Sequence, residues 1–131
     1  MITVRNPTLD VFEIWSEKIK TIKNVSYSME MSKIPSSFPY ARLFPIGNPT
    51  FRSDLTGNEC ATVPAYQIDL FAKGKYALKN VYELDEVSHK AMVEMGFHRT
   101  YGPEPIENAD NTIKRLVSRY SRTYCGEDLR M

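Results

Sequence analysis

A chain of 131 residues with 42% hydrophobic and 25% charged side chains has the size and balance of one folded domain, with no room for a second core. Its 17 basic and 16 acidic side chains leave a formal charge of +1, so no overall field draws it to nucleic acid or to a membrane surface. No apolar run approaches the roughly 20 residues that span a bilayer, and MITVRNPTLDVFEIW lacks the basic start and apolar block of a signal peptide.

The first helix is expected to begin near Asn6, a good N-cap, followed by Pro7, whose missing N–H costs nothing there, and by Asp10 in the first turn. Val11, Phe12, Trp15, Ile19 and Ile22 then form its apolar stripe, which Thr21 to Asn24 end. Val25 to Met29 reads as a short strand. From Ile34 to Pro49 the prolines Pro35, Pro39, Pro45 and Pro49 exclude a helix and a long central strand, leaving Tyr40 to Phe44 as the one strand-like piece. The polar run FRSDLTGNECATV makes residues 46–64 the long tip of a hairpin, well beyond the usual loop of about 2 to 5 residues. Such a tip is either inert or an arm that reaches a neighbouring subunit.

Residues 64–103 are the most regular part of the chain. Alternation puts Tyr66, Ile68 and Leu70 on one strand face and Gln67 and Asp69 on the other, as in a sheet covered on one side only. Ala77, Val81, Leu84, Val87 or Ser88, Ala91 and Met95 recur at helical spacing, with Glu83, Asp85, Glu86, Lys90 and Glu94 mostly off that stripe. Gly96 sits where a helix C-terminus needs a left-handed residue. Phe97 to Thr100 is extended, and Gly102, Pro103 and Pro105 punctuate it. Ile113 to Tyr124 reads as the last strand, with Leu116, Ser118, Tyr120, Arg122 and Tyr124 on one face and Val117, Arg119, Ser121 and Thr123 on the other. The tail 126–131 is expected to fray. The elements sum to one α+β domain over residues 1–131: a small mixed, mainly antiparallel β-sheet with two amphipathic helices packed on one face and one long hairpin arm.

Residue types that carry chemistry are scattered. The glycines form no phosphate loop, no GxSxG elbow occurs, and Cys60 and Cys125 belong to no CxxC pair or Cys/His cluster, so free thiols are expected. Surface positions are the bland expectation for His89 on its helix, and a structural one for His98. Asp85 and Glu86 are adjacent on a helix and diverge by about 100°, a poor general acid/base pair. No catalytic, cofactor or metal site is expected. Basic residues interleave with aromatics in Lys114, Arg115, Arg119, Tyr120, Arg122 and Tyr124, as in strand-type binders of single-stranded nucleic acid. The second helix carries Glu83, Asp85, Glu86 and Glu94 against Lys90. Such runs are ordinary solvated faces, or an acidic face of one copy that meets a basic face of another.

The short N-terminal amphipathic helix, the PYARLF strand after a proline-rich turn, AYQIDLFAKGKYALKNVYELDEVSHKAMVEMGFHRT and a closing strand ending near SRYSRTY resemble the tail terminator proteins of long-tailed bacteriophages, also called tail-completion or tail-to-head joining proteins. The resemblance runs from about Leu9 to Tyr124 and is strongest over Tyr66 to Arg99. It is carried by element order and hydrophobic placement, and the chain departs from it in the proline-rich stretch 34–49. It implies a small α/β fold, no cofactor and no catalytic residues. It also implies a hexameric ring, located in the virion after synthesis in the host cytoplasm, that caps the tail tube where the head attaches. The expected partners are further copies of the chain, the major tail tube protein and a head-completion or connector protein, with at most transient, sequence-independent DNA contact and no membrane. The candidate subunit or tail-tube interface residues are Arg52, Asp54 and Asn58 on the arm, Glu83 and Glu86 on the second helix, and Arg115, Arg119 and Arg122 near the chain's end. A head-completion or connector adaptor is the nearest alternative, followed by a nucleic-acid-binding module.

Overall fold

Helix α1 (Thr8–Ile19) starts where Asn6 Oδ1 accepts hydrogen bonds from the backbone N–H (3.0 Å) and hydroxyl (2.6 Å) of Thr8. The cap position is therefore Pro7, one residue later than the sequence suggested, and Asn6 bonds Thr8 from just before it without capping the helix itself. The computed structural model describes residues 5–30, 35, 37–47, 50–53, 59–107 and 109–130, and for 50–53, 59 and 60 the backbone alone. Val11, Trp15 and Ile19 line the buried side of α1. Trp15, fully enclosed, donates its indole N–H to Ser88 Oγ at 2.9 Å. That bond satisfies the one polar atom of a side chain whose truncation to alanine costs about 3–5 kcal/mol.

The main sheet holds five strands in the order β1 (Ser26–Ser28), β2 (Tyr40–Gly47), β5 (Ala65–Lys73), β7 (Ile113–Ser121) and β6 (His98–Ile106). Strands β1 and β2 are parallel and every other pair is antiparallel. A separate two-stranded ladder joins β3 (Thr50–Ser53) to β4 (Glu59–Thr62). Both helices lie on one face of the sheet, and the α+β architecture expected from the sequence is the one formed. Cross-strand pairs Ala41–Leu70, Leu43–Ile68, Leu70–Leu116 and Tyr66–Tyr120 build the floor of the core. Helix α2 (Ala77–Glu94) supplies its roof with Ala77, Val81, Leu84, Ala91 and Met92. At its end Gly96 takes a φ of 86°, while Phe97 N–H bonds Met92 O (3.0 Å) and Gly96 N–H bonds Val93 O (2.9 Å). That is the Schellman arrangement, which only a residue without a Cβ enters freely.

Four further sequence expectations are corrected. Residues 46–64 are not one long loop, because β3 and β4 pair there. The strand after α2 does not stop at its glycine and prolines but continues to Ile106, with shifts of register between Arg99 and Tyr101 and between Tyr101 and Glu104. Proline is tolerated there because β6 is an edge strand and needs no outward N–H. The same logic admits Pro45, since among the described residues β1 pairs only with Tyr40 to Arg42 and no other strand pairs with the rest of that side of β2. The last strand ends at Ser121, and Tyr124 instead forms an isolated bridge to Thr62 through bonds of 2.8 and 2.9 Å. Up to Arg130 the tail is packed rather than frayed: Leu129 is 5% exposed in the core, and Arg130 reaches both carboxylate oxygens of Glu17 at 3.0 and 3.1 Å.

Gly102, at φ 86°, runs so close to β7 that an added Cβ would lie 2.2 Å from Val117 O, whereas a Cβ on Gly74, at φ 106°, would meet nothing within 4 Å. Both positions strain an L-residue, but only the first also clashes. Gly102→Ala is therefore expected to destabilise by more than 2 kcal/mol and Gly74→Ala by about 1 kcal/mol, read from urea unfolding midpoints.

Candidate functional site

The face of the sheet away from the helices carries a connected array of arginines and aromatic rings. Its centre is Asp69, with 0% of its side chain exposed. Arg42 donates to Asp69 Oδ2 from Nε (2.8 Å) and Nη2 (2.7 Å), and Arg115 from Nη2 (3.0 Å). Gln67 Nε2 donates to Asp69 Oδ1 at 2.9 Å, and Gln67 Oε1 accepts from Arg119 Nε at 3.0 Å. The guanidiniums of Arg42 and Arg115 lie 5.2 and 5.6 Å from the centre of the Phe71 ring, and that of Arg119 lies 5.2 Å from Tyr101. Strand register produces this grouping, since Arg42–Asp69, Gln67–Arg119 and Phe71–Arg115 are direct cross-strand partners. Asp69 was expected on a solvated face; instead the arginine stems and rings shield it.

A second polar array lies between α2 and the sheet. Arg99 Nη2 bonds both oxygens of Asp85 (3.0 and 3.1 Å) and the Tyr120 hydroxyl (2.6 Å), which also accepts from Arg99 Nε (2.9 Å). His89 Nδ1 lies 3.0 Å from the same hydroxyl. Asp85 and His89 thus turn toward the sheet rather than lying off the buried stripe and on the surface, as the sequence suggested. The cause is Arg99, which rises from β6 between them and gives the helix a charged partner. Burial, opposed by the bonded Arg99, pushes the Tyr120 phenol up to about 12. Burial first, and then the Arg99 charge, hold His89 below its usual value.

The expected interface residues fall into four groups. Arg115 and Arg119 share the open sheet face, but only Arg119 is on its exposed rim. Glu83 and Glu86 are exposed on α2, where Glu83 lies 3.8 Å from Lys79. Arg122 belongs to neither surface: it donates to Met95 O at the C-terminus of α2, to Thr123 O (3.0 Å) and to Glu127 (2.7 Å). It fixes the end of the helix and the tail. Arg52 lies in β3 opposite Ala61, its side chain outside the described set, and Asp54 and Asn58 lie outside the described residues.

The basic–aromatic interleaving of the last strand does not make a stacking platform. Tyr120 is 0% exposed and Tyr124 3% exposed, so neither ring can meet a base. Period-2 alternation had already placed the tyrosines opposite Arg119, and that was the signal to weigh. Among the described residues no three His, Cys, Asp or Glu side chains converge as metal ligands, and no helix is long and apolar enough to cross a membrane. Cys125 is an exposed free thiol.

Two measurements follow from these arrays. Asp69→Asn leaves Arg42 and Arg115 beside a neutral amide and is expected to cost about 3 kcal/mol in chemical denaturation, whereas Arg119→Ala stays within about 0.5 kcal/mol. Tyr120 is raised from 10.0 to about 12, so its contribution is intact below pH 10 and is lost as pH climbs from 10 toward 12. Tyr120→Phe is expected to flatten, without abolishing, the alkaline fall in melting temperature, since Tyr66 and Tyr124 are also raised by burial. Comparison with protein-family models and with curated proteins yields no match for this chain.

Proposed function

We propose that the chain is a structural virion protein that caps a phage tail tube as a homo-oligomeric ring and forms the joint to the head. The resemblance over Leu9 to Tyr124 supplies the setting, and the observation that carries the reading is the β3–β4 ladder. Among the described residues these strands pair only with each other, apart from the bridge of Thr62 to Tyr124 at their base. A two-stranded ladder is marginal in water by itself and gains stability by lying against another surface. An arm reaching the next subunit meets that need.

The edges of the main sheet favour the same geometry. Strand β1 has three residues, and β6 is interrupted by Pro103, Pro105 and two register shifts, so neither offers a long straight template for strand addition. Contacts between copies then run through the arm and the exposed side chains of α2 and β7, with Glu83, Glu86 and Arg119 at the rims. In a closed ring each copy presents two different patches, and opposite charges help set their register. No catalytic step belongs to this role. A head-completion adaptor would use the same surfaces and is distinguished by its partner.

Light scattering and negative-stain imaging of the purified chain, alone and with tail tube protein, test the proposal. The expected outcome is ring particles of several times 15.1 kDa, formed alone or on the tube. Arg119→Glu is expected to weaken them without changing the circular dichroism spectrum. Monomers that ignore the tube protein would refute the role, and rings that bind only a head-side protein would assign the adaptor.

A further inference from the structure

We infer that the seam between α2 and β6–β7 is a proton-operated latch, closed while His89 is neutral and released when it is protonated. The inference stands on hydrogen-bond counting and is independent of the proposed assembly role. A phenol has one O–H to donate and two lone pairs to accept with. Both lone pairs of Tyr120 are taken by Arg99, through Nε at 2.9 Å and Nη2 at 2.6 Å. The Tyr120 hydrogen is left for His89 Nδ1 at 3.0 Å, which must then be the unprotonated nitrogen, with the ring proton on Nε2.

Protonation removes that acceptor. Nδ1–H would point at an oxygen already receiving two N–H groups, and the Tyr120 hydrogen would lose its partner. The imidazolium would also stand beside the Arg99 guanidinium, whose charge is shared with a single carboxylate, Asp85. The charged and titratable groups around His89 are Asp85 on α2, Arg99 on β6 and Tyr120 on β7, while β5 turns the apolar Ile68, Leu70 and Ala72 into the core it shares with α2. From α1 the polar contacts to α2 are Trp15 on Ser88 and Lys18 with Glu94 at 3.9 Å, neither of them on the imidazole. His89 is only half-buried, so an imidazolium can swing into water and remove one of the two polar ties between the middle of α2 and this part of the sheet, leaving the Asp85–Arg99 pair to hold alone.

The sign follows from burial and Arg99, which outweigh Asp85 and hold His89 below 6.5 when folded. The latch is intact above the unfolded value of 6.5, and its contribution falls as pH drops from there to the folded value. The outward side chains Glu86 and Lys90 of α2 ride on the segment so loosened.

NMR titration of the His89 and His98 rings from pH 8 to pH 4.5 tests this, together with amide hydrogen exchange corrected for intrinsic rate and thermal unfolding across the same range. His89 is expected to titrate below 6.5, and α2 amides around Asp85 to Met92 to exchange severalfold faster once it is protonated. His89→Gln is expected to flatten the acid limb of the stability profile. Tyr120→Phe, which removes the donor to Nδ1, is expected to raise the His89 midpoint. Titration of His89 at or above 6.5, or α2 exchange that does not respond to its protonation, would overturn the inference. So would a Tyr120→Phe chain with an unmoved His89 midpoint, or a His89→Gln chain with an unchanged acid limb.

Discussion

A carboxylate with no exposed surface in the middle of a sheet must be matched by charge and by hydrogen bonds, and Asp69 sets that requirement for everything around it. It stands on the central strand β5, between Ile68 and Leu70, whose burial under the helices fixes which way it points. With that direction fixed, β2 must present Arg42 opposite it and β7 must present Arg115 one pair further along. A slip of one residue in either strand would turn those arginines into the apolar core and leave Asp69 unmatched. The apolar face and the charged face therefore specify the same register, each penalising the errors that the other would tolerate.

The same distinction separates charges that hold the fold from charges that are free to meet a partner. Arg115, Arg99 and Arg122 are half-buried and bonded to Asp69, Asp85, Met95 O and Glu127, so changing them alters the fold before it alters any surface. Lys79 with Glu83, and Lys18 with Glu94, are exposed pairs at 3.8 and 3.9 Å and contribute at most about 1 kcal/mol each. Such exposed groups, with Arg119 and Glu86, can be redirected to another molecule at little cost. An interface drawn from sequence charge alone mixes the two kinds.

How far the sequence was legible follows the same line. The stop at Gly96, the stripe of α2 and the alternation of β5 were all readable, because each depends on residues within a turn or two of one another. What could not be read depends on residues far apart in the chain. Arg99 turns Asp85 and His89 inward from across the α2–β6 connection, and Arg122 is captured by the carbonyl of Met95. Leu129 finds the core through a tail whose local sequence promises only a loose end. Of the candidate surface, Glu83, Glu86 and Arg119 are exposed, while Arg115 is occupied by the buried Asp69, a partner that no local pattern announces. Strand β6 was cut short because proline and glycine signal a break, while their tolerance depends on the strand being at the sheet's border.

Thr62 and Tyr124 exchange a reciprocal pair of backbone hydrogen bonds at the root of the β3–β4 ladder, beside the bond of Arg122 N–H to Pro64 O at 3.4 Å. Those bonds are a load path. A pull on the ladder is passed to the segment after β7, and from there through the Arg122 side chain to the C-terminal turn of α2. The root of the ladder is thereby tied to both layers of the molecule, to the sheet through the segment after β7 and to the helices through the end of α2.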